Sequence, residues 1–166
     1  MLKSSIKFLN KSFMNENTLD LSTIAFDQYQ RYGVASRAIE AIRQDGQRLK
    51  ILEVGSNIHQ LLGKLLPNDS IDYLDLEIPE EMRNKANIIV GDATALTLAD
   101  GSYDVVVALD VYEHIPQNLR AAFLKHTSRV ARQLTVIGAP FDEPLTVNAE
   151  KEASDYWMQL FGQPYR

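Results

Sequence analysis

Five short apolar runs recur along the chain: "LKILEV", "SIDYLDL", "ANIIVGDA", "SYDVVVAL" and "QLTVIGAPF". All five read as strands, and "LKILEV" in particular suits a strand buried on both faces. The segments between them have helical spacing. "TIAFDQYQRYGVASRAIEAIRQDG" places Val34, Ala35, Ala38, Ile39 and Ile42 on one face, with Gly46 as its stop. "NIHQLLGKLL" reads as a short helix ended by Pro67, and "PEEMRN" opens with Pro79 at a first helical position, followed by acids that favour a helix N-terminus. "PQNLRAAFLKHTSRVAR" carries the stripe Leu119, Ala122, Phe123, His126 and Val130. "TVNAEKEASDYWMQLFG" offers Ala149, Ala153, Tyr156, Trp157, Leu160 and Phe161. Strands alternating with helices imply right-handed crossovers and a parallel sheet, an α/β fold.

Composition narrows the ligands. A chain of 166 residues suits one domain. Its net charge of -5 and the lack of a long basic run argue against a nucleic-acid backbone as partner. With no cysteine, disulfides and thiolate metal sites are excluded, and the three histidines lack a metal-binding spacing, so no metal is expected. A reducing, cytoplasmic location is the expectation. No apolar run approaches the roughly 20 residues that span a bilayer, so no membrane partner is expected. "MLKSSIKFLNKSF" lacks the h-region of a secretory signal and reads as a frayed or surface-docked segment. Residues 1–22 are taken as an N-terminal extension and 23–166 as the domain.

In an open parallel sheet the ligand lies outside the carboxyl ends of the strands. Gly55 to Asn57, Asp75 to Glu77, Asp92 with Ala93, and Leu109 to His114 occupy those ends. Glu53, inside an apolar run, needs hydrogen-bond partners, from the following turn or from a bound ammonium. Gly55 permits a sharp turn or close ligand approach, and Asn57 tolerates a left-handed backbone. A dinucleotide fingerprint starting at Gly55 would put glycines at 57 and 60, where the chain has Asn57 and Gln60. Phosphate binding is therefore disfavoured, and adenosine without phosphate is less demanding. Asp75 lies 20 residues after Gly55, a spacing that suits a carboxylate on ribose hydroxyls, with Glu77 as the second candidate. Asp92 could accept from an adenine amino group while the Ala93 amide donates to a ring nitrogen. Each carboxylate alone reads as a cap or loop residue; three at successive strand ends are a much less common accident.

The ordered run "ILEVGSN…YLDLE…IIVGDATAL…GSYDVVVALDVYEHIP…LRAAFLKHTSRVARQLTVIGAPF" resembles the core of class I S-adenosylmethionine-dependent methyltransferases, in particular those with a D-x-x-E-H-x-P motif. The resemblance runs from about residue 30 to the C-terminus. It implies a Rossmann-like sheet of order 3-2-1-4-5 with flanking helices, lacking the C-terminal β-hairpin usual in the family, as in a truncated chain. It implies S-adenosyl-L-methionine as cofactor and methyl transfer as activity. By resemblance, Glu53, Gly55, Ser56 and Asn57 hold the methionine end. Asp75, with Leu76 beside it, holds the ribose; Asp92 and Ala93 hold the adenine; and the backbone near Leu109 faces the sulfonium.

His114 follows the fourth strand and suits general-base work, with Glu113 and Asp110 as alternatives. The competing role for His114 is to cap a turn. Asp104, at the far end of that strand, reads as structural, and Tyr29 and Tyr32 as core residues that could also lid the cofactor. The expected acceptor is a small molecule or saccharide. The alternative is a degenerate, non-catalytic domain that binds a partner through an open sheet edge. That edge would be covered by a second copy or by missing C-terminal sequence.

Overall fold

The computed structural model describes residues 24–55, 60–140 and 143–162. Five strands, β1 (Lys50–Val54), β2 (Ser70–Asp75), β3 (Ile88–Val90), β4 (Tyr103–Leu109) and β5 (Ala131–Gly138), pair in parallel in the order β3-β2-β1-β4-β5. This is the expected Rossmann-like sheet. Five helices accompany it: α1 (Phe26–Ile42), α2 (Leu61–Leu65), α3 (Glu80–Arg83), α4 (Arg120–Val130) and α5 (Pro144–Phe161).

Every residue of β4 is buried, because helices cover both faces of the strand. Val105, Val107 and Leu109 join Ile51 and Ile71 against Tyr32, Ala35 and Ile39 of α1 and Leu61 and Leu62 of α2. Val106 and Ala108 join Leu52, Val54 and Leu74 against Phe123 and Val130 of α4. This period-2 split of apolar side chains explains why the strands read as continuous apolar runs.

The helical faces are rotated from those expected. In α1 the core residues are Tyr32, Ala35 and Ile39, whereas Val34 is exposed. In α4 Thr127 is buried in place of His126. The Thr127 hydroxyl donates to the Phe123 carbonyl at 2.8 Å, which removes the usual objection to threonine inside a core. Pro79 caps α3 from outside rather than occupying its first turn. α5 buries none of its described side chains; Leu145, Tyr156, Leu160 and Phe161 are exposed. Among the described residues no helix is long and apolar enough to cross a membrane.

Polar latches lock the amino ends of the strands, away from the rim where ligands bind. Asp69 takes a bidentate pair from the Arg43 guanidinium, at 2.7 and 2.6 Å, and a third hydrogen bond from the Leu49 amide at 2.9 Å. Asp104 accepts from the Lys50 amide at 2.9 Å, and from Arg132 and Gln133 at 3.0 and 3.2 Å. Asp104 is thus structural. Removing one partner of a buried ion pair costs more than the pair contributes, because the remaining charge stays desolvated. Asp69→Ala is expected to lower unfolding free energy by about 3–5 kcal/mol in urea titrations. Asp100→Ala, which breaks an exposed pair with Arg129, should change it by about 1 kcal/mol or less.

Candidate functional site

The parallel register brings the strand ends level. Val54 pairs with Leu74 on one side and Ala108 on the other, and Asp75 pairs with Val90. Two backbone bonds close the rim: the Gly55 amide donates to the Leu74 carbonyl and the Gly91 amide to the Asp75 carbonyl, both at 2.9 Å. Gly55, Asp75 and Asp92 therefore follow three adjacent strands. The outer two strands lie about 10 Å apart, two inter-strand spacings.

Glu53 is buried on β1, beside Tyr73 of β2. Its Oε1 accepts from the Tyr32 hydroxyl of α1 at 2.7 Å, while Oε2 has no partner among the described residues. Burial pushes its pKa up to about 7, against the opposing effect of the Tyr32 hydrogen bond. Burial also raises the Tyr32 hydroxyl, and the Glu53 charge raises it further. A carboxyl so placed suits a ligand ammonium, which would supply both the missing partner and the countercharge.

Gly55 adopts φ +73, a left-handed backbone that glycine takes at little cost. A Cβ added there would collide with Val111 Cγ2. The turn thus brings bare backbone to the rim with one glycine. Gln60, where a dinucleotide fingerprint would want glycine, is itself left-handed at φ 49 and caps α2. The sequence signal for this turn was the glycine spacing; a glutamine in the same conformation hides it. Ser56, Asn57 and His59 lie outside the described residues.

At β2, an Asp75 Oδ1 accepts from the Glu77 amide at 3.3 Å in an Asx turn, and the neighbouring Leu76 is exposed. After β3, Asp92 caps the 3-10 turn Ala93–Ala95: its Oδ1 accepts from the Thr94 amide and hydroxyl, both at 2.7 Å. Local capping is thus present at both carboxylates. Among the described residues each uses one oxygen, which leaves the second for a ligand hydroxyl or amino group. Ala93 is buried against Leu52, Val54 and Phe123.

Leu109 closes β4 and is buried, and just past it Asp110 is left-handed at φ 56 and ion-paired with Arg31 of α1 at 2.7 Å. Burial raises the Asp110 pKa, with Arg31 pulling it back. That ion pair engages the Asp110 carboxylate and makes it a poor free base. His114 ends the 3-10 turn Tyr112–His114, exposed, its amide donating to the Val111 carbonyl at 3.0 Å. Glu113 keeps a buried, unpartnered Oε2. A cavity of about 560 Å³ opens between α1 and the ends of β4 and β5, lined by Tyr29, Arg31, Val34, Arg37, Leu109 and Gly138 among others. Sequence reading did not find this cavity, because α1 meets β5 about 100 residues away along the chain. Tyr29 lines it, half exposed, whereas Tyr32 is core. Among the described residues no cluster of His, Asp and Glu could hold a metal ion.

The methyltransferase-domain family model matches residues 52–135, from β1 into β5. No curated protein matches the chain. Solved structures share the fold at low identity. A protein from Pyrococcus horikoshii is 18% identical with a TM-score of 0.54, over 76% of this chain and 61% of its own. Magnesium protoporphyrin IX methyltransferase from Synechocystis, with bound SAM, is 19% identical with a TM-score of 0.53, over 77% and 67%. The 1,6-didemethyltoxoflavin-N1-methyltransferase of Burkholderia thailandensis, with its substrate and S-adenosylhomocysteine, is 14% identical with a TM-score of 0.51, over 64% and 49%. The chain spans about half to two thirds of the length of these structures.

The Gly55 turn yields a two-part expectation. Gly55→Ala adds both the collision with Val111 and a left-handed strain of about 1–3 kcal/mol. In Gly55→Ala/Val111→Ala the collision is relieved and the strain remains. Chemical unfolding should therefore rank wild type above Val111→Ala, and the double variant above Gly55→Ala alone.

Proposed function

The chain belongs to the methyltransferase-domain family, and from that premise we propose that it transfers a methyl group from S-adenosyl-L-methionine to a small-molecule or saccharide acceptor. The observation that carries this reading is the line of carboxylates Glu53, Asp75 and Asp92 at the ends of three adjacent parallel strands, beside a single left-handed glycine turn. Each has an oxygen that no described residue claims.

The roles follow from chemistry and place. Glu53 takes the ammonium of the methionine end, and Gly55, Ser56 and Asn57 hold that end with it. Asp75 accepts from the ribose hydroxyls, flanked by Leu76. Asp92 accepts from the adenine amino group, and Ala93 supplies an amide to the ring. When bound, the cofactor supplies an activated methyl on a sulfonium. The residues of the chain do the rest: they align the acceptor, keep water out and receive a proton. Leu109 and its backbone border the reacting side. The acceptor enters the cavity between α1 and β5, where Tyr29, Val34 and Arg37 offer an aromatic, an apolar and a cationic contact. Such alignment alone supplies roughly 7–11 kcal/mol of barrier lowering. We assign the role of proton acceptor for an oxygen nucleophile to His114, which is exposed past β4 and stands outside the ion pair that engages Asp110.

A second reading has one observation in its favour. β5 is the edge of the described sheet, and α5 presents Leu145, Tyr156, Leu160 and Phe161 without burying them. A non-catalytic relative that docks a partner there would show concentration-dependent size and no cofactor binding.

Calorimetry with S-adenosylmethionine tests the leading reading. Wild type should bind, and Asp75→Ala should bind at least about tenfold more weakly, from the loss of a hydrogen bond to a charged acceptor worth roughly 1.5–3 kcal/mol. No heat from wild type, or equal affinity in the variant, sinks it. A dinucleotide such as NAD should give no heat in the same calorimeter, because Asn57 and Gln60 stand where its fingerprint has glycines.

A further inference from the structure

Helix α1 touches the strand rim at two polar points. Tyr32 donates to Glu53 at 2.7 Å and Arg31 pairs with Asp110 at 2.7 Å. These are adjacent residues of one helix holding groups on β1, the central strand, and just past its neighbour β4. The contacts differ in kind. The Arg31 pair is one-third exposed on both sides and so is weakened by solvent. The Tyr32 bond is buried and engages a carboxyl whose other oxygen is orphaned. A buried, half-satisfied carboxylate is unfavourable unless a ligand completes it.

We propose that Tyr32 is a positioning residue for the cofactor: its hydroxyl fixes the Glu53 carboxyl so that the free oxygen meets the ammonium of the methionine end, which makes helix α1 part of the cofactor site. The inference rests on the reading under Proposed function. Tyr32 touches no reacting atom; it acts through Glu53.

The geometry has a proton consequence. Among the described residues, the titratable and charged groups facing the Tyr32–Glu53 pair are Tyr73 of β2, beside Glu53, and Arg31 of α1 and Asp110 after β4, which act on Tyr32. Tyr73 is itself pushed up to about 12, first by burial and then by the Glu53 charge, so it stays neutral near pH 7. Burial lifts Glu53 to about 7, and the Tyr32 bond, made to the charged form, opposes that rise. In the free protein near neutrality Glu53 is therefore partly protonated. The ammonium requires the ionised form, so cofactor entry expels a proton to solvent. Affinity falls as pH drops below about 7 and levels off above it. Removing the Tyr32 hydroxyl removes the one hydrogen bond that favours the ionised form, so the midpoint must move up.

The test uses S-adenosylhomocysteine, which carries the same amino-acid end, with the full chain. Calorimetry at pH 6.5 in buffers of differing ionisation enthalpy counts protons released. Wild type should release most of one proton per ligand, and its affinity should rise about five- to tenfold from pH 6 to 7.5. In Tyr32→Phe the rise shifts to higher pH. In Glu53→Gln both proton release and pH dependence vanish. Carboxyl-carbon NMR of the ligand-free protein should give a higher Glu53 midpoint in Tyr32→Phe than in wild type, a change that loosened packing alone would not direct upward. Wild type that binds without releasing a proton, or a Tyr32→Phe profile identical to wild type, overturns this inference and leaves the methyltransferase reading standing. Wild type that fails to bind removes both.

Discussion

A strand buried on both faces leaves almost nowhere for polar chemistry except its ends, and β4 imposes that condition on this molecule. All seven of its residues are buried, with α1 and α2 on one side and α4 on the other. β1 and β2 are held in register with it through parallel ladders. The amino ends are then taken up by structural latches, Asp69 on Arg43 and Asp104 on the Lys50 amide. What remains is the carboxyl rim, where Gly55, Asp75, Asp92 and Asp110 stand. Glu53 is the exception that tests the rule. It lies inside the apolar layer and persists there only because a tyrosine on the covering helix donates to it.

The strands were readable because doubly buried strands carry unbroken apolar runs, and β4 in "SYDVVVAL" has the strongest of them. The order β3-β2-β1-β4-β5 came from family resemblance rather than from pattern. Helix faces were less readable. Apolarity alone points to the stripe containing His126, yet Thr127 is the buried residue because its hydroxyl finds a carbonyl one turn back. A hydrophobic pattern does not register that self-satisfaction. α5 misled in the opposite direction: its spacing offers a stripe, but no element of the described structure covers it.

The site was legible to a different degree at each strand. Asp75 and Asp92 could be placed because a carboxylate at a strand end is a local feature. The partner of Glu53 could not, since Tyr32 is 21 residues away and reaches it only after α1 docks. Nor could the left-handed Gln60, where the backbone adopts the conformation that glycine favours without the residue that advertises it. A non-glycine left-handed residue costs roughly 1–2 kcal/mol, and such strain persists where the surroundings over-determine it. The rest of the turn, from Ser56 to His59, lies outside the described residues.

On the reading proposed above, the charge of this rim favours one class of nucleoside over another. Glu53, Asp75, Asp92, Asp110 and Glu113 all lie at or near it, and Arg31, the cation the described structure pairs there, is engaged with Asp110. At an effective dielectric of about 20, two unit charges about 6 Å apart interact by roughly 3 kcal/mol. A diphosphate would meet that repulsion from several carboxylates, without the bare glycine amides that normally offset it. A ligand carrying an ammonium and a sulfonium meets the same field with the opposite sign. The missing glycines and the surplus of acids are therefore two aspects of one preference. On the proposed reading, acids that draw a cationic ligand and a sequence with Asn57 and Gln60 in place of further glycines favour the same phosphate-free cofactor.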